Sequence, residues 1–457
     1  MSHLPTADAS VAPQSLPAPA PDTELVAPSV APPAPAAPVP GPVARSVAPD
    51  LARGMLLLFI ASANVWGYLW SDAGWLDAGG RPAGGSSLDH LVDGVVAFVV
   101  DSRSKPMFAI LYGFGLATMA ARLAARGADR RTTRGVLARR SGVLIALGLV
   151  HAALLYAGDI LAPYGATGLV ALAFVHRSRA TLVRWFVVGY VLSMTAGAIA
   201  VLGAFDSGSG AGDDPGAAAA VDPAALGYLT TVGERLVTVA TATSLFTVSL
   251  MFVPHVVVGI LLARAGWLTR PAEHRRRLGQ VAVAAAVVNV VGGLPYALAV
   301  AQVWHPGETT LGVAELVHHV AGDVVGLGYV CLFGWLAAVW GERARGGVLS
   351  SAVAATGERS LTAYLLQSVM FAPLLSAWGL GLGGRIGTAQ AAVLAVGVWL
   401  VTVLVAVAMH RAGRRGPFEV LVRRLAYGRT GAAASVPVTR EGTRRGALPA
   451  DGSTATG

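Results

Sequence analysis

Apolar runs of close to twenty residues recur along this chain, separated by short stretches where arginine, aspartate, glycine and proline collect. Runs of that length predict helices that cross a bilayer, so the fold class is all-α, a polytopic membrane bundle. About ten spans are predicted, over residues 51–70, 105–121, 141–158, 160–175, 182–204, 243–264, 278–300, 317–340, 361–382 and 389–409. After the first of them, LDHLVDGVVAFVV is too short and too acidic at its start to span, and it suits a re-entrant or interfacial segment. A short amphipathic helix is predicted around 224–241.

The polar stretches between the runs alternate in character. Arg122, Arg126, Arg130, Arg131, Arg134, Arg139 and Arg140 follow the second span, and further arginines gather at 177–184, 264–277, 343–345 and 411–429. The intervening loops carry Asp72, Asp77, Asp89, Asp93 and Asp101, then Asp206, Asp213, Asp214 and Asp222, then Glu308 and Glu315. Arginine-rich loops face the cytoplasm, which predicts both termini inside. The organisation that results is a Pro/Ala-rich tail at 1–49 expected to be disordered, a transmembrane core at 50–204 and an external loop with its amphipathic helix at 205–241. A second transmembrane region follows at 242–429, and then a disordered tail at 430–457.

Composition sharpens this picture. Of 457 residues 54% are hydrophobic and 13% charged, with a mean hydropathy of +0.61, which places the protein in the lipid bilayer. The net charge of +9 is almost entirely arginine, Lys105 being the one lysine, and its placement is topological, so no nucleic acid is expected as a partner. The single cysteine, Cys331, rules out an intrachain disulfide and a Cys-based metal site. Arginine in place of lysine, with abundant Ala, Gly and Val, points to a high-GC bacterial genome and thus to the bacterial plasma membrane.

Ionisable groups inside apolar runs are costly and are functional candidates by default. His151 lies in mid-run and Asp159 closes the same stretch. On one continuous helix, eight residues correspond to roughly 80° of rotation and about 12 Å of rise, so the two side chains are expected to open onto one cavity without touching. Lys105, at the same outer level, is placed to pair with Asp159. In the first span Asp50 and Arg53 are one turn apart and predict an ion pair, while Arg53 and Asn64 return to one face. His255 follows Pro254, consistent with a kink. His318, His319 and Asp323 share one stretch but offer too few ligands for a metal site, and none is expected. Glu358, Arg359, Tyr364 and Gln367 enter the ninth span, and Glu419 and Arg423 form an i,i+4 surface pair.

Five stretches, LARGMLLLFIASAN, SKPMFAILYGFGLA, GLVHAALLYAGDILAPYGATGL, GERSLTAYLLQS and RRGPFEVLVRRLAYG, resemble the YeiB-like family of bacterial membrane proteins, which carries the domain of unknown function numbered 418. Proteins of that family are described in connection with transport. The family is also distantly similar to transmembrane acyltransferases, including the heparan-glucosaminide acetyltransferase group, through the opening Asp50-Leu51-Ala52-Arg53-Gly54. One large acyltransferase group has a histidine at the outer end of that first span, where this chain has Asn64. His151 or His90 would have to serve instead.

The resemblance implies transfer of an acyl group from a cytoplasmic donor, acetyl-CoA or another acyl-CoA, to a small-molecule or cell-envelope acceptor near the outer face. Arg53, with Asp50 and Asn64, would hold donor phosphates, His151 would be the general base balanced by Asp159, and Lys105 and Tyr164 would orient the acceptor or Asp159. Tyr364 and Gln367 would line the substrate. In the alternative reading, a transporter or exporter, the same His, Asp and Lys form a proton-coupled site. A third is a membrane-anchored assembly factor without small-molecule chemistry.

Overall fold

A computed structural model describes residues 46–71, 74–76, 78–206, 228–248, 250–341 and 347–428. The tails expected at the two ends and most of the 205–227 loop lie outside these residues. Within them the regular structure is helical, joined by turns and loops, with one isolated bridge between Trp75 and Pro82. The elements are α1 (Ala48–Asn64), α2 (Ser87–Val99), α3 (Ser104–Ala125), α4 (Arg130–Leu154), α5 (Leu161–Ala171), α6 (Arg179–Asp206) and α7 (Tyr228–Val248). They continue with α8 (Val253–Ala265), α9 (Arg275–Val300), α10 (Glu308–Trp340), α11 (Val348–Glu358), α12 (Ser360–Leu375), α13 (Thr388–Arg411) and α14 (Pro417–Tyr427).

Among the described residues six stretches are long and apolar enough to cross a membrane: 48–68, 87–125, 130–154, 271–300, 308–340 and 388–411. A seventh arises if α7 and α8, bent by 65° at their junction, count as one span. The protein is therefore a helical membrane protein, and six of the ten expected spans correspond to such stretches among the described residues. The expected span at 182–204 lies within the 28 residues of α6; the other differences fall where proline, glycine and aspartate interrupt the apolar runs. The run at 160–175 yields only the eleven residues of α5, and the run at 361–382 stops at Leu375, two residues after Pro373. The helix expected at 224–241 and the span expected at 243–264 merge into the bent pair α7–α8. At the other extreme, α4 begins inside the arginine block, where Asp129 caps it by accepting the Thr132 amide at 2.9 Å.

α1 runs through the main core, burying Leu51, Leu56, Leu57, Ile60 and Ala61 against α3, α10, α11, α12 and α13. Two close crossings need glycine because backbone meets backbone there. Gly357, at the end of α11, lies against the Asp50 carbonyl, and Gly113 of α3 lies against Val256 of α8. A second core joins α3, α4, α5 and α8 through Leu116, Leu137, Leu144, Tyr164, Val257 and Ile260. The site described next lies between these two cores.

Candidate functional site

The site exists because α4 stops at Leu154 and does not continue to Asp159. The chain turns through Leu155–Ile160 and re-enters as α5. That turn folds Asp159 back onto the last turn of α4, and His151 Nδ1 lies 2.8 Å from Asp159 Oδ1. The two side chains thus touch, against the expectation of about 12 Å of separation along a continuous helix. Gly148 makes room for the contact, since a Cβ there would meet Asp159 Oδ2 and Ala162. Oδ2 in turn accepts the Ala162 amide at 2.8 Å, which satisfies a free N–H in the first turn of α5.

Both side chains are almost completely buried. A carboxylate only accepts, so Nδ1 carries the hydrogen of this bond, and a neutral imidazole in that arrangement keeps its lone pair on Nε2. Nε2 is buried and has no hydrogen-bond partner among the described residues. Tyr364 of α12 packs against the pair. Its ring centroid is 5.2 Å from that of His151, its hydroxyl accepts the Ile160 amide at 3.3 Å, and the same hydroxyl lies 3.5 Å from Asp159 Oδ1.

The premature end of α4 leaves carbonyls without helical partners, and distant side chains take them up. Arg235 of α7 donates to the Ala153 carbonyl through Nε at 3.2 Å and Nη2 at 2.9 Å. Tyr228 donates to the Leu154 carbonyl at 2.9 Å, and Tyr68, after α1, lies 3.5 Å from that of Leu155 while stacking on Tyr156. Cations at a helix C-terminus also oppose its dipole.

Residues 262–429 match the family described as a protein of unknown function (DUF418). Along most of its length the chain is similar to two uncharacterized proteins. YxaH of Bacillus subtilis (strain 168) is 24% identical over 398 residues, 83% of this chain and 93% of that protein. YeiB of Escherichia coli (strain K12) is 27% identical over 415 residues, 86% of this chain and 98% of that protein. The chain is thus similar to YxaH and YeiB, and its C-terminal part matches the DUF418 family. No solved structure matches the chain. The DUF418 region begins in α8 and runs to the end of α14, so it supplies Tyr364, whereas His151 and Asp159 belong to the preceding part of the chain.

The other residues singled out in the sequence fall in three places. Asp50 and Arg53 form the expected ion pair, at 3.1 Å, with Asp50 buried and Arg53 a quarter exposed and reaching past Gly115 of α3. Asn64 is half-buried at the far end of α1. Gln367, one turn beyond Tyr364, donates to the Leu57 carbonyl at 3.1 Å, and its Oε1 is buried and unpartnered. Lys105 and Tyr164 lie apart from this site. The Lys105 side chain is exposed, with no ion pair to Asp159 among the described contacts, and its carbonyl accepts the Tyr164 hydroxyl at 2.6 Å. Tyr164 is stacked on Phe252 in the second core. The structure does not bring these two side chains to the His151–Asp159 pair.

His318, His319 and Asp323 diverge. His318 contacts the buried Arg103 guanidinium at 2.7 Å, His319 donates to the Glu315 carbonyl at 2.9 Å, and Asp323 meets His255 Nε2 at 3.0 Å. Arg103 also reaches Asn289 Oδ1 at 2.6 Å and the carbonyls of Ala97 and Asp101. Beside it Arg81 pairs with Asp101 at 2.6 Å and Asp93 at 3.4 Å. Glu419 does not pair with Arg423. Its carboxylate accepts the Leu361 and Thr362 amides and the Thr362 hydroxyl, capping α12. Sequence reasoning missed Arg235, Arg103 and Arg81. The available signal was a lone arginine beside an apolar run, the same signal that drew attention to His151.

Proposed function

We propose that the protein is a membrane-bound acyltransferase in which His151 is the general base. The observation that carries this reading is the His151–Asp159 pair itself: Nδ1–H committed to a carboxylate, Nε2 with a free lone pair, and no competing donor on Nε2. A carboxylate that fixes tautomer and ring orientation is the arrangement that makes imidazole an effective base. Nε2 takes the proton from an acceptor O–H or N–H, and the acceptor atom bonds to the thioester carbonyl carbon. The C–S bond breaks, and the proton passes from Nε2 to the departing thiolate. Asp159 stays ionised and holds the imidazolium between the two transfers.

The donor site rests on Arg53. Gln367 bonds to the Leu57 carbonyl, and Phe371, one turn on, meets Tyr68 beyond the end of α1 with ring centroids 5.9 Å apart, so α12 follows α1 in the same direction. Arg53 is four residues before Leu57 and Tyr364 three before Gln367, so by helical rise their levels differ by no more than about one turn. A donor with phosphates on the Arg53 guanidinium has its reactive end within reach of the His151 level. The arginine-rich end of the bundle adds positive potential. His176 there is held below its ordinary pKa by burial and by Arg130, Arg134 and Arg264.

Purified protein in lipid nanodiscs should bind acetyl-CoA and release thiol from it when an acceptor is supplied. Arg53→Lys should weaken that binding although the charge is kept, because the bidentate fork is lost. Equal acetyl-CoA affinity in wild type, Arg53→Lys and Arg53→Ala removes Arg53 from the donor site. Proton-driven flux without thiol release transfers the His151–Asp159 pair to a transporter.

A further inference from the structure

A second histidine–carboxylate pair lies outside that site, and its hydrogen count differs. His255, in the first turn of α8, meets Asp323 of α10 at 3.0 Å through Nε2, while its Nδ1 lies 3.3 Å from the Met251 carbonyl. A carbonyl only accepts, so Nδ1 must carry a hydrogen. A carboxylate facing Nε2 at that distance needs a hydrogen between them as well. A neutral imidazole has one hydrogen for these two bonds. The pair is complete only with one proton more, either as imidazolium with carboxylate or as imidazole with carboxylic acid.

We infer that the His255–Asp323 pair is a proton-binding site, and that its proton holds the bend between α7 and α8. Met251 sits in that bend, where the two helices turn by 65°. The preceding Leu250 has a left-handed backbone (φ 55°), a conformation a branched residue keeps only when its surroundings enforce it. His255 ties the bend to α10 through Asp323. Without the extra proton one of its two bonds is lost: either the Nε2 lone pair faces the carboxylate or the Nδ1 lone pair faces the carbonyl. Both are repulsive, and the tie between bend and α10 weakens.

The neighbouring groups do not supply the missing hydrogen. Tyr190 of α6 lies close enough to Asp323 to feel its charge. His319, one turn from Asp323 on α10, has its Nδ1 on the Glu315 carbonyl. On α3, Arg103 is turned to His318 and Asn289, the Lys105 side chain is exposed and Tyr112 reaches Ser141. On α5, Tyr164 donates to the Lys105 carbonyl. The contrast with His151 is chemical: one pair needs no extra proton and leaves Nε2 open, the other needs one and leaves neither nitrogen open.

The inference is tested by placing nitroxide labels at the exposed positions Val187 of α6 and Val237 of α7, with Cys331 replaced by alanine, in nanodiscs. Distances are measured by double electron–electron resonance between about pH 5 and about pH 9, the interval spanning histidine's charge change. In the otherwise wild-type protein the low-pH distance should be lost as pH rises. Asp323→Asn should keep that distance throughout, because its amide N–H donates to Nε2 and no extra proton is needed. His255→Gln, which carries no titratable proton, should show one pH-independent distribution and serves if the asparagine variant does not fold. A wild-type distance that ignores pH, or either variant tracking the wild-type change, overturns the inference.

Discussion

Replacing Asp159 with asparagine exchanges one oxygen for an N–H2 group and, through it, should move the proton on His151. The Ala162 amide lies 2.8 Å from Oδ2 and only donates, so the asparagine oxygen must take that position. The side-chain NH2 then faces Nδ1, which has to accept, and the ring hydrogen moves to Nε2. The variant keeps the bond to α5 and loses only the charge-assisted character of the histidine bond, about 1 kcal/mol. Asp159→Ala also abandons the Ala162 amide, worth about 1 kcal/mol more, and should be the less stable of the two. With Nε2 protonated the base is gone, and acyl transfer should fall by about a hundredfold to ten-thousandfold while donor binding survives. The tautomer can be read without any substrate, from the nitrogen chemical shifts of ¹⁵N-histidine-labelled protein with His151→Gln as the assignment control. Wild type should show hydrogen on Nδ1 and the Asn variant hydrogen on Nε2. The same tautomer in both, or a doubly protonated ring in wild type at neutral pH, refutes the reasoning.

Arg103→Lys should lower thermal stability in detergent by about 3 kcal/mol or more, because one ammonium cannot serve the Ala97 and Asp101 carbonyls, Asn289 and His318 together; a wild-type melting curve would reduce that cluster to incidental contact. Asp129 is held below the usual carboxylate pKa by its hydrogen bonds from the Thr132 side chain and amide. Its folded value lies under the unfolded one, so its contribution is complete above the ordinary carboxylate range and is lost as pH falls through the lowered value. The stability gap between wild type and Asp129→Ala should therefore narrow in strong acid, and a gap that widens there contradicts the sign. Tags at both termini and in the 122–140 stretch should report cytoplasm, and tags at 77–87 and 207–220 the opposite side; an external C-terminus would reverse the α14 end of the proposed topology.

Helices in the interior of long apolar runs were legible from sequence, as α1, α9, α10 and α13 show. Their interruptions were not. An apolar run reads the same whether the backbone continues through it or turns at Gly158–Asp159 or after Pro373, because the same residues lower the cost of either path. The candidate site suffered from this directly. His151 and Asp159 stood out as ionisable groups in apolar surroundings, but their contact depends on the turn at 155–160, which helical extrapolation removes. Tyr364 stands at the entry of the ninth span, but a tyrosine in an apolar helix carries no signal that it meets His151. His255 and Asp323 were both noticed, yet nothing local joins residues on separate helices. Lys105 shows the opposite error: a charge at the right level suggested a partner, while the side chain points outward.

The carbonyls at the broken end of α4 also impose an order on biogenesis. His151 and Asp159 leave the ribosome on one hairpin, but the groups that hold the hairpin's open end, Tyr228 and Arg235, are synthesised more than sixty residues after Asp159, and Tyr364 more than two hundred after it. A nascent chain that has inserted α4 and α5 carries the unsatisfied Ala153 and Leu154 carbonyls in the bilayer until α7 arrives. The reactive pair is thus assembled early and enclosed late, and a chain stalled before residue 228 would present that open end to insertion chaperones and quality-control proteases.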